Sequence, residues 1–500
     1  MNAFPRLFSL VLCCCLAVVA TAQGAPSKPN IVFILADDTG YGDLSATGNP
    51  ILKTPHLDKL YNAAVRFTDF HVSPTCSPTR SALMTGRHEF KNGVTHTILE
   101  RERLNPDAIT IAQVLKSAGY TTGIFGKWHL GDEPDHQPGQ RGFDEVFIHG
   151  GGGIGQTYPG SCGDAPGNTY FNPAILHNGS FEKTQGFCTD IFTNQAIHWM
   201  ESVKGKQPFF CYIPYNAAHV PVSCPDEYKK PYEGKVDDHL ATYFGMVANI
   251  DENVGRVLAK LDEWGIAKDT LVVFMNDNGG HGPACKVFNA GMRGSKGSAW
   301  LGGTRAVSLW RWSDTFAPHD AAGLASNIDF FPTLAELAGA TPNEKAQKQV
   351  DGRSLLPLLR DGNAPWPERV LFTHVGRWPK GADVQAYKYA ACSVRSGQWH
   401  LVSDGPPGKP REKGWKLFDV SKDIGEDHDV VAEHPDVVTR LDAEYDRWWA
   451  SVVPMMVNEH AHYSGMNPFK VLYWKQFGGG PTPEELKQMG FDKAPTSTAQ

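Results

Sequence analysis

The sequence has no basic excess. Lys and Arg number 47 against 54 Asp and Glu, a formal net charge of −7. That argues against nucleic acid as a partner, because a nucleic-acid binder concentrates positive charge. Beyond Val19 no run is long and apolar enough to cross a bilayer, so no membrane span is expected. There is no internal repeat. The glycine run at 150–153, followed by Ile154-Gly155-Gln156, lacks the Gly-Lys-Ser/Thr that would make it a nucleotide-binding P-loop.

Cysteine is sparse, at 10 residues of 500. Cys13, Cys14 and Cys15 fall inside an uncharged, mostly apolar run from Leu7 to Val19, preceded by Arg6 and followed by the cleavage pattern Ala20-Thr21-Ala22. Residues 1–22 therefore read as a secretory signal peptide, and the chain is expected to be exported, to a periplasm or the medium. The small residue that precedes a lipoprotein cysteine is missing, so no lipid anchor is expected. Cys76, Cys162, Cys188, Cys211, Cys224, Cys285 and Cys392 remain. With Cys76 set apart for the chemistry below, the other six suit an oxidising compartment and up to three disulfides, with Cys162–Cys188 and Cys211–Cys224 near neighbours in sequence.

What is present is ordinary for a globular protein: 41% apolar and 20% charged residues over a length that fits one large domain and a smaller one. The 51 glycines and 35 prolines point to many loops on a scaffold. Thirteen tryptophans fit either a carbohydrate-facing surface or a core. Asn30-Ile31-Val32-Phe33-Ile34-Leu35, Tyr120 to Phe125, Pro208 to Ile213 and Thr270 to Met275 are short apolar runs without alternation, the pattern of buried parallel strands. Ala108 to Ala118 and Thr242 to Trp264 carry apolar residues at helical spacing. The alternation predicts an α/β domain with a large, mainly parallel sheet flanked by helices, over residues 23–365. From 366 to 478 the texture changes. Two strands, 387–394 and 398–402, form a hairpin around Arg395-Ser396-Gly397, a further strand runs from Trp415 to Asp419, and a helix from His434 to Met456. A smaller C-terminal α+β subdomain with an antiparallel sheet is expected, then a loosely ordered tail at 479–500.

Each central strand ends on chemistry. Asp37-Asp38 follows the first, Lys127-Trp128-His129 the second, His219 the third and Asp277-Asn278 the fourth. Ligands of open α/β sheets bind beyond the carboxyl ends of the strands. Asp37, Asp38, Asp277 and Asn278 are hard oxygen donors that suit Ca²⁺ or Mg²⁺ better than zinc. In Pro74-Thr75-Cys76-Ser77-Pro78-Thr79-Arg80, Ser77 reads as an N-cap and Pro78 as the first helical residue, with Gly86 ending the helix. Cys76 then lies at the positive mouth of a helix, where an anion is favoured. Arg80, Lys127 and Lys296 add positive charge; His129 and His219 exchange protons near neutrality. His149 and Gln156, flanking the glycine run, are candidate substrate contacts. The sum is an anion site suited to hydrolysis of a sulfate or phosphate ester, in which a plain thiolate has no evident part.

These blocks resemble the type I sulfatases of the alkaline-phosphatase superfamily. Cys76-Ser77-Pro78-Thr79-Arg80 matches the Cys-x-Pro-x-Arg signature, and Ser81 to Arg87 its continuation. Asp37-Asp38 with Gly40-Tyr41-Gly42-Asp43, Gly126-Lys127-Trp128-His129-Leu130-Gly131, Asn276-Asp277-Asn278-Gly279-Gly280 and the segment around Lys296 match further blocks, with Gly294-Ser295-Lys296 where many relatives have Gly-Gly-Lys. The resemblance covers about Pro29 to Glu426 and implies an alkaline-phosphatase-like fold. It also implies that Cys76 is converted to Cα-formylglycine by a maturation enzyme. A metal-bound hydroxyl of its hydrate would attack sulfur, and His219 with Lys296 would assist the leaving alcohol. His129 would then deprotonate the second hydroxyl to expel sulfate, with Arg80 and Lys127 holding the hydrate and the sulfate oxygens. Asp37, Asp38, Asp277, Asn278 and residue 76 would hold Ca²⁺ or Mg²⁺. The expected substrate is a sulfated saccharide or aryl sulfate. The alternatives are a phosphate or phosphonate monoester hydrolase using the same site, and an inactive module that binds sulfated glycans. The latter should have lost the cysteine, a metal ligand or a base, and none is lost here.

Overall fold

The computed structural model describes residues 28–156, 164–461, 466–483 and 486. The signal-peptide reading and the Cys162–Cys188 pairing fall outside them. The four apolar runs are strands Asn30–Ala36, Thr121–Lys127, Phe209–Pro214 and Thr270–Asn276. Their lack of alternation has a direct cause. In Asn30–Ala36, Ile31, Phe33 and Leu35 enter one apolar core while Val32, Ile34 and Ala36 enter another on the opposite face. A strand covered on both sides has no solvated face. Helix Asp238–Glu263 covers one face with Tyr243, Phe244, Val247 and Val254. Helices Cys76–Thr85, Ile111–Ser117 and Phe330–Leu337 cover the other.

Five parallel strands form the centre of a ten-stranded sheet, in the spatial order Thr270–Asn276, Asn30–Ala36, Phe209–Pro214, Thr121–Lys127, Glu145–His149. The last of these, only five residues long, was not among the expected strands. Antiparallel Ser308–Arg311 lies beside Thr270–Asn276 and is followed outward by Val65–Phe67, antiparallel to it, and His319–Ala321, parallel to Val65–Phe67; the antiparallel hairpin Ala174–His177 with Ser180–Lys183 forms the other margin beside Glu145–His149. The expected α/β architecture is therefore present, and all five parallel strands deliver their carboxyl ends to one edge.

The smaller unit is an antiparallel sheet of Val370–His374, Cys392–Ser396, Trp399–Ser403 and Trp415–Asp419 in sequential order. Helix Pro435–Val452 packs Leu441, Tyr445 and Trp449 against its Val394, Leu401 and Leu417. The hairpin begins at Cys392 rather than at Tyr387, because Val384–Tyr387 forms a 3-10 turn and Ala391 adopts φ +50°. A last helix, Pro468–Phe477, returns to the large sheet, with Phe469 in its core and Gln476 bonded to both main-chain groups of Phe181. Trp128, Trp310 and Trp378 are fully buried, so these three belong to the core.

The described cysteines, Cys76, Cys188, Cys211, Cys224, Cys285 and Cys392, are all unpaired. The Cys211–Cys224 pairing does not form. Cys211 is buried in the core on a central strand, and Cys224, at the margin of the same core, has its sulfur against Gly245 of helix Asp238–Glu263. Closeness in sequence says nothing about which way a strand side chain points.

His374 in the small sheet supplies a pH test of the fold. Its Nδ1 accepts from the Gly376 N–H and its Nε2–H donates to Tyr387 O, a pattern only the neutral ring can make. Burial pushes its pKa down to about 4. The unfolded chain takes up this proton near pH 6.5, so the stability His374 contributes is complete above that pH and is lost as pH falls toward 4. The full contribution is about 3 kcal/mol as an upper estimate. In urea unfolding at pH 7 and pH 4.5, His374→Gln is expected to lose less stability on acidification than the wild type; equal losses would refute the assignment.

Candidate active site

The register of two neighbouring strands builds the centre of the site. Ala36 pairs with Asn276 in parallel register, so Asp37 and Asp277 leave the sheet side by side. Asp277 N donates to Ala36 O (3.1 Å) and Asp38 N to Asp277 Oδ1 (3.3 Å). Asp38 has φ +55°, a left-handed turn in which aspartate is tolerated. Asn278 donates its amide to Asp38 Oδ1 at 3.0 Å. All four side chains are buried.

Helix Cys76–Thr85 meets this cluster end on. Its N-cap is Thr75, not Ser77: Cys76 is the first helical residue, and the Ser77 hydroxyl donates instead to Glu102 O. The difference arises because proline fits anywhere in a first turn whose N–H groups lack intrahelical partners, so Pro78 does not mark the first position uniquely. The Gly86 stop, at φ +68°, is as expected. Cys76 Sγ and a carboxylate oxygen from each of Asp37 and Asp277 lie within 4.8 Å of one another. One turn on, Arg80 is fully buried. It donates to Asp277 Oδ2 through Nε (3.1 Å) and Nη2 (2.8 Å), and to Lys127 O through Nη1 (2.9 Å). Arg80 thus ties the helix to a carboxylate of the cluster and to the end of a central strand.

Lys127 donates to Asp37 Oδ2 at 2.5 Å and Lys296 to Asp38 Oδ2 at 2.7 Å. The Lys296 loop is pinned beside the helix mouth by Gly297 N on Pro74 O and Lys296 N on Gly280 O. Burial raises the pKa values of Asp37 and Asp38, but the adjacent ammonium groups, Lys127 for Asp37 and Lys296 for Asp38, outweigh it and hold both below the usual carboxylate range. Asp277 goes the other way. Burial and then the Asp37 carboxylate push it well above, despite Arg80. Three carboxylates face three fixed cations here, and two buried oxygens, Asp37 Oδ1 and Asn278 Oδ1, have no hydrogen-bond partner. Repelling carboxylates and orphaned hard oxygens fit a divalent cation of the Ca²⁺ or Mg²⁺ type.

The two histidines are oriented differently. His129, at φ +59°, hydrogen-bonds Thr97 O through Nε2 at 3.0 Å, which leaves Nδ1 unprotonated and without a partner. Burial and then Lys127 lower its pKa well below the ordinary value, so it is a neutral proton acceptor. His219 donates from Nδ1 to Val220 O at 2.6 Å and presents Nε2 3.7 Å from Asp38 Oδ2. Burial and then Lys296 push it down to about 4. Lys296 is itself shifted upward: burial opposes, but Asp38 outweighs it. At neutral pH the proton on this side of the site is therefore held by Lys296.

The glycine run is part of the same site. A Cβ on Gly152 would lie 2.9 Å from His129 Nε2, and one on Gly153 3.2 Å from His219 Nδ1. A side chain at Gly152 would collide with the His129 ring, and one at Gly153 would crowd Gln156 and the His219 ring. Gln156 lies against the same two glycines. His149 is wholly buried, bonded through Nδ1 to Gly150 O and packed 6.2 Å from the Phe192 ring. Sequence reasoning missed Thr97, which orients His129, and Tyr170, whose hydroxyl donates to His219 O at 2.5 Å. No local pattern marks either. The pair His239–His281, with Nε2 atoms 2.8 Å apart, was also missed.

A family model described as Sulfatase matches residues 29–340. Human (Homo sapiens) arylsulfatase A is 31% identical over 474 residues, covering 85% of this chain and 87% of its own length. N-acetylgalactosamine-6-sulfatase of Mus musculus is 32% identical over 446 residues, covering 81% and 79%. The solved structure of Ps i-CgsB in complex with k-i-k-neocarrahexaose superposes with a TM-score of 0.74 at 29% identity, over 90% of this chain and 97% of that one.

Proposed function

Because this chain belongs to the sulfatase family and is a sulfuric ester hydrolase, we propose that it removes sulfate from sulfated saccharides at a formylglycine formed from Cys76, beside a divalent cation. The observation that carries this reading is the buried oxygen cluster, with Asp37 Oδ1 and Asn278 Oδ1 unpartnered next to Cys76 at the helix mouth. Asp37, Asp38, Asp277, Asn278 and the oxygen of a matured residue 76 would hold the cation, Ca²⁺ or Mg²⁺. When bound, it supplies positive charge against the oxyanion of the ester and lowers the pKa of a hydroxyl beside it. The aldehyde hydrate supplies two hydroxyls on one carbon, one to attack sulfur and one to release sulfate as the aldehyde returns.

The remaining work falls to side chains already placed. His129 Nδ1 accepts a proton, its tautomer set by Thr97. Lys296 carries the proton at neutral pH and His219 Nε2 lies on the same side, near Asp38, so together they serve the leaving oxygen. Lys127 keeps Asp37 ionised, and Arg80 holds the Asp277 side chain in place. A saccharide substrate is supported by the relative named for N-acetylgalactosamine-6-sulfate chemistry and by the neocarrahexaose complex. Export is supported by the leader-like residues 1–22, and no described helix is long and apolar enough to cross a membrane.

The test is release of inorganic sulfate and phosphate from sulfated saccharides, aryl sulfates and matching phosphate esters by protein matured in a host with the formylglycine-generating enzyme. Sulfate from a few saccharides is the expected result. Phosphate without sulfate would move the chain to the phosphohydrolase reading.

A further inference from the structure

The glycine turn needs an external hold. Gly152 and Gly153 press on the two histidines, yet their own N–H groups have no partner among the described residues. The turn is fixed by its neighbours: Gly150 N and Gly155 N donate to Asp164 (3.2 and 3.3 Å), Ile154 N donates to Asn216 Oδ1 (3.2 Å), and Gly151 N donates to Asp132 Oδ1 at 3.0 Å. Asp132 is buried, three residues after His129. Its second oxygen accepts from Asn467 Nδ2 at 2.8 Å. Asn467 is the N-cap of helix Pro468–Phe477, and its Oδ1 accepts from Phe469 N (2.9 Å) and Lys470 N (3.4 Å). One carboxamide thus faces two ways, its oxygen on the helix and its nitrogen on the carboxylate that holds the turn. Phe469 in the core and Gln476 on Phe181 anchor the helix independently of this contact.

We infer that the C-terminal helix is a clasp for the active-site turn, with Asn467 and Asp132 as positioning residues that fix Gly151 and, through it, the two glycines against His129 and His219. The link is specific because each of its atoms has one role. Burial pushes Asp132 up to about 7, so above that pH a carboxylate accepts from both sides and a second carboxylate at 467 would face it as a like charge; the assays below are run at pH 8. An aspartate at that position would nonetheless cap the helix as well as asparagine does. Helix capping and turn clasping are therefore separable by substitution.

The experiment is a double-mutant cycle of Asn467→Asp and Asp132→Asn. It is read by kcat and KM for sulfate release and by hydrogen exchange of the peptide spanning 148–156. Asn467→Asp is expected to lower kcat about tenfold or more, as for a modest misplacement near the reacting groups, and to speed exchange of the turn. Asp132→Asn, which sets amide donor against amide donor, should do the same. In the double variant the new amide at position 132 accepts from Gly151 through its oxygen and donates through its nitrogen to the new carboxylate at position 467. Both readouts should then return close to wild type. Asn467→Ser, a cap without the donor, serves as a second variant if Asn467→Asp misfolds, and should also speed exchange. Wild-type kcat and exchange in Asn467→Asp, or a double variant no better than the singles, would overturn the clasp. The kinetic arm rests on the sulfatase reading above, but the exchange arm does not. Exchange that follows the cycle in a protein releasing no sulfate would overturn that reading and support the clasp.

Discussion

Cys76→Ala is expected to abolish sulfate release, by about 10⁴-fold or more, the loss seen when a covalent nucleophile is removed from a site that otherwise remains. The fold should survive. Position 76 is the first residue of its helix, and alanine is the best helix former. The side chain is 2% exposed, so removing one sulfur from this packed spot costs about 1 kcal/mol. The measurement pairs sulfate release with thermal unfolding and a peptide mass at position 76. A wild-type preparation carrying the aldehyde mass should be active, and a preparation left as cysteine should match the alanine variant. Substantial turnover by Cys76→Ala with an intact fold would remove residue 76 from the chemistry.

Chelation and Asp277→Asn should act on the same property from two directions. Thorough removal of divalent ions is expected to stop turnover, and Ca²⁺ to restore it. Asp277→Asn removes one of three carboxylates from the cluster, and Ca²⁺ should then be needed at much higher concentration. At limiting Ca²⁺ the rate should fall about 10³-fold, comparable with losing a major electrostatic contribution to the transition state. A second effect is on stability. Asp277 accepts two hydrogen bonds from Arg80, which is fully buried, and the remaining carboxylate near that guanidinium is Asp37 at 3.8 Å. Removing one partner of a buried ion pair costs about 3–5 kcal/mol when nothing replaces it, so the loss here should approach the lower bound. Calcium titration of the rate and of the thermal midpoint measures both effects. Full activity in metal-free protein would refute the cation reading, whatever the variant does.

Much of this was readable from local pattern. Four apolar runs without alternation meant strands covered on both faces, and they are. Asp37, Lys127, His219 and Asp277 each follow such a strand, so their arrival at one edge follows from parallel topology alone. Errors came where one local signal fits two placements. Pro78 suits any position of a first turn, so it did not separate Ser77 from Thr75 as the cap. Cys211 and Cys224 are close in sequence, yet strand direction turns the first into the core.

By itself, then, the sequence determined the architecture, the edge at which chemistry gathers and the residue types gathered there. Those depend on short-range periodicity, caps and turn residues, which are properties of adjacent positions. Tertiary structure alone decided the partnerships. Asp37 stands beside Asp277 because Ala36 pairs with Asn276, His129 is a proton acceptor at Nδ1 because Thr97 O takes Nε2, and Asp132, which accepts from Gly151 of the glycine turn, also accepts from Asn467, more than 300 positions further along the chain. Each is a contact between segments whose distance is set by strand order and register, and a hydrogen bond forms or fails within a few tenths of an ångström. No periodicity along the chain carries information at that scale.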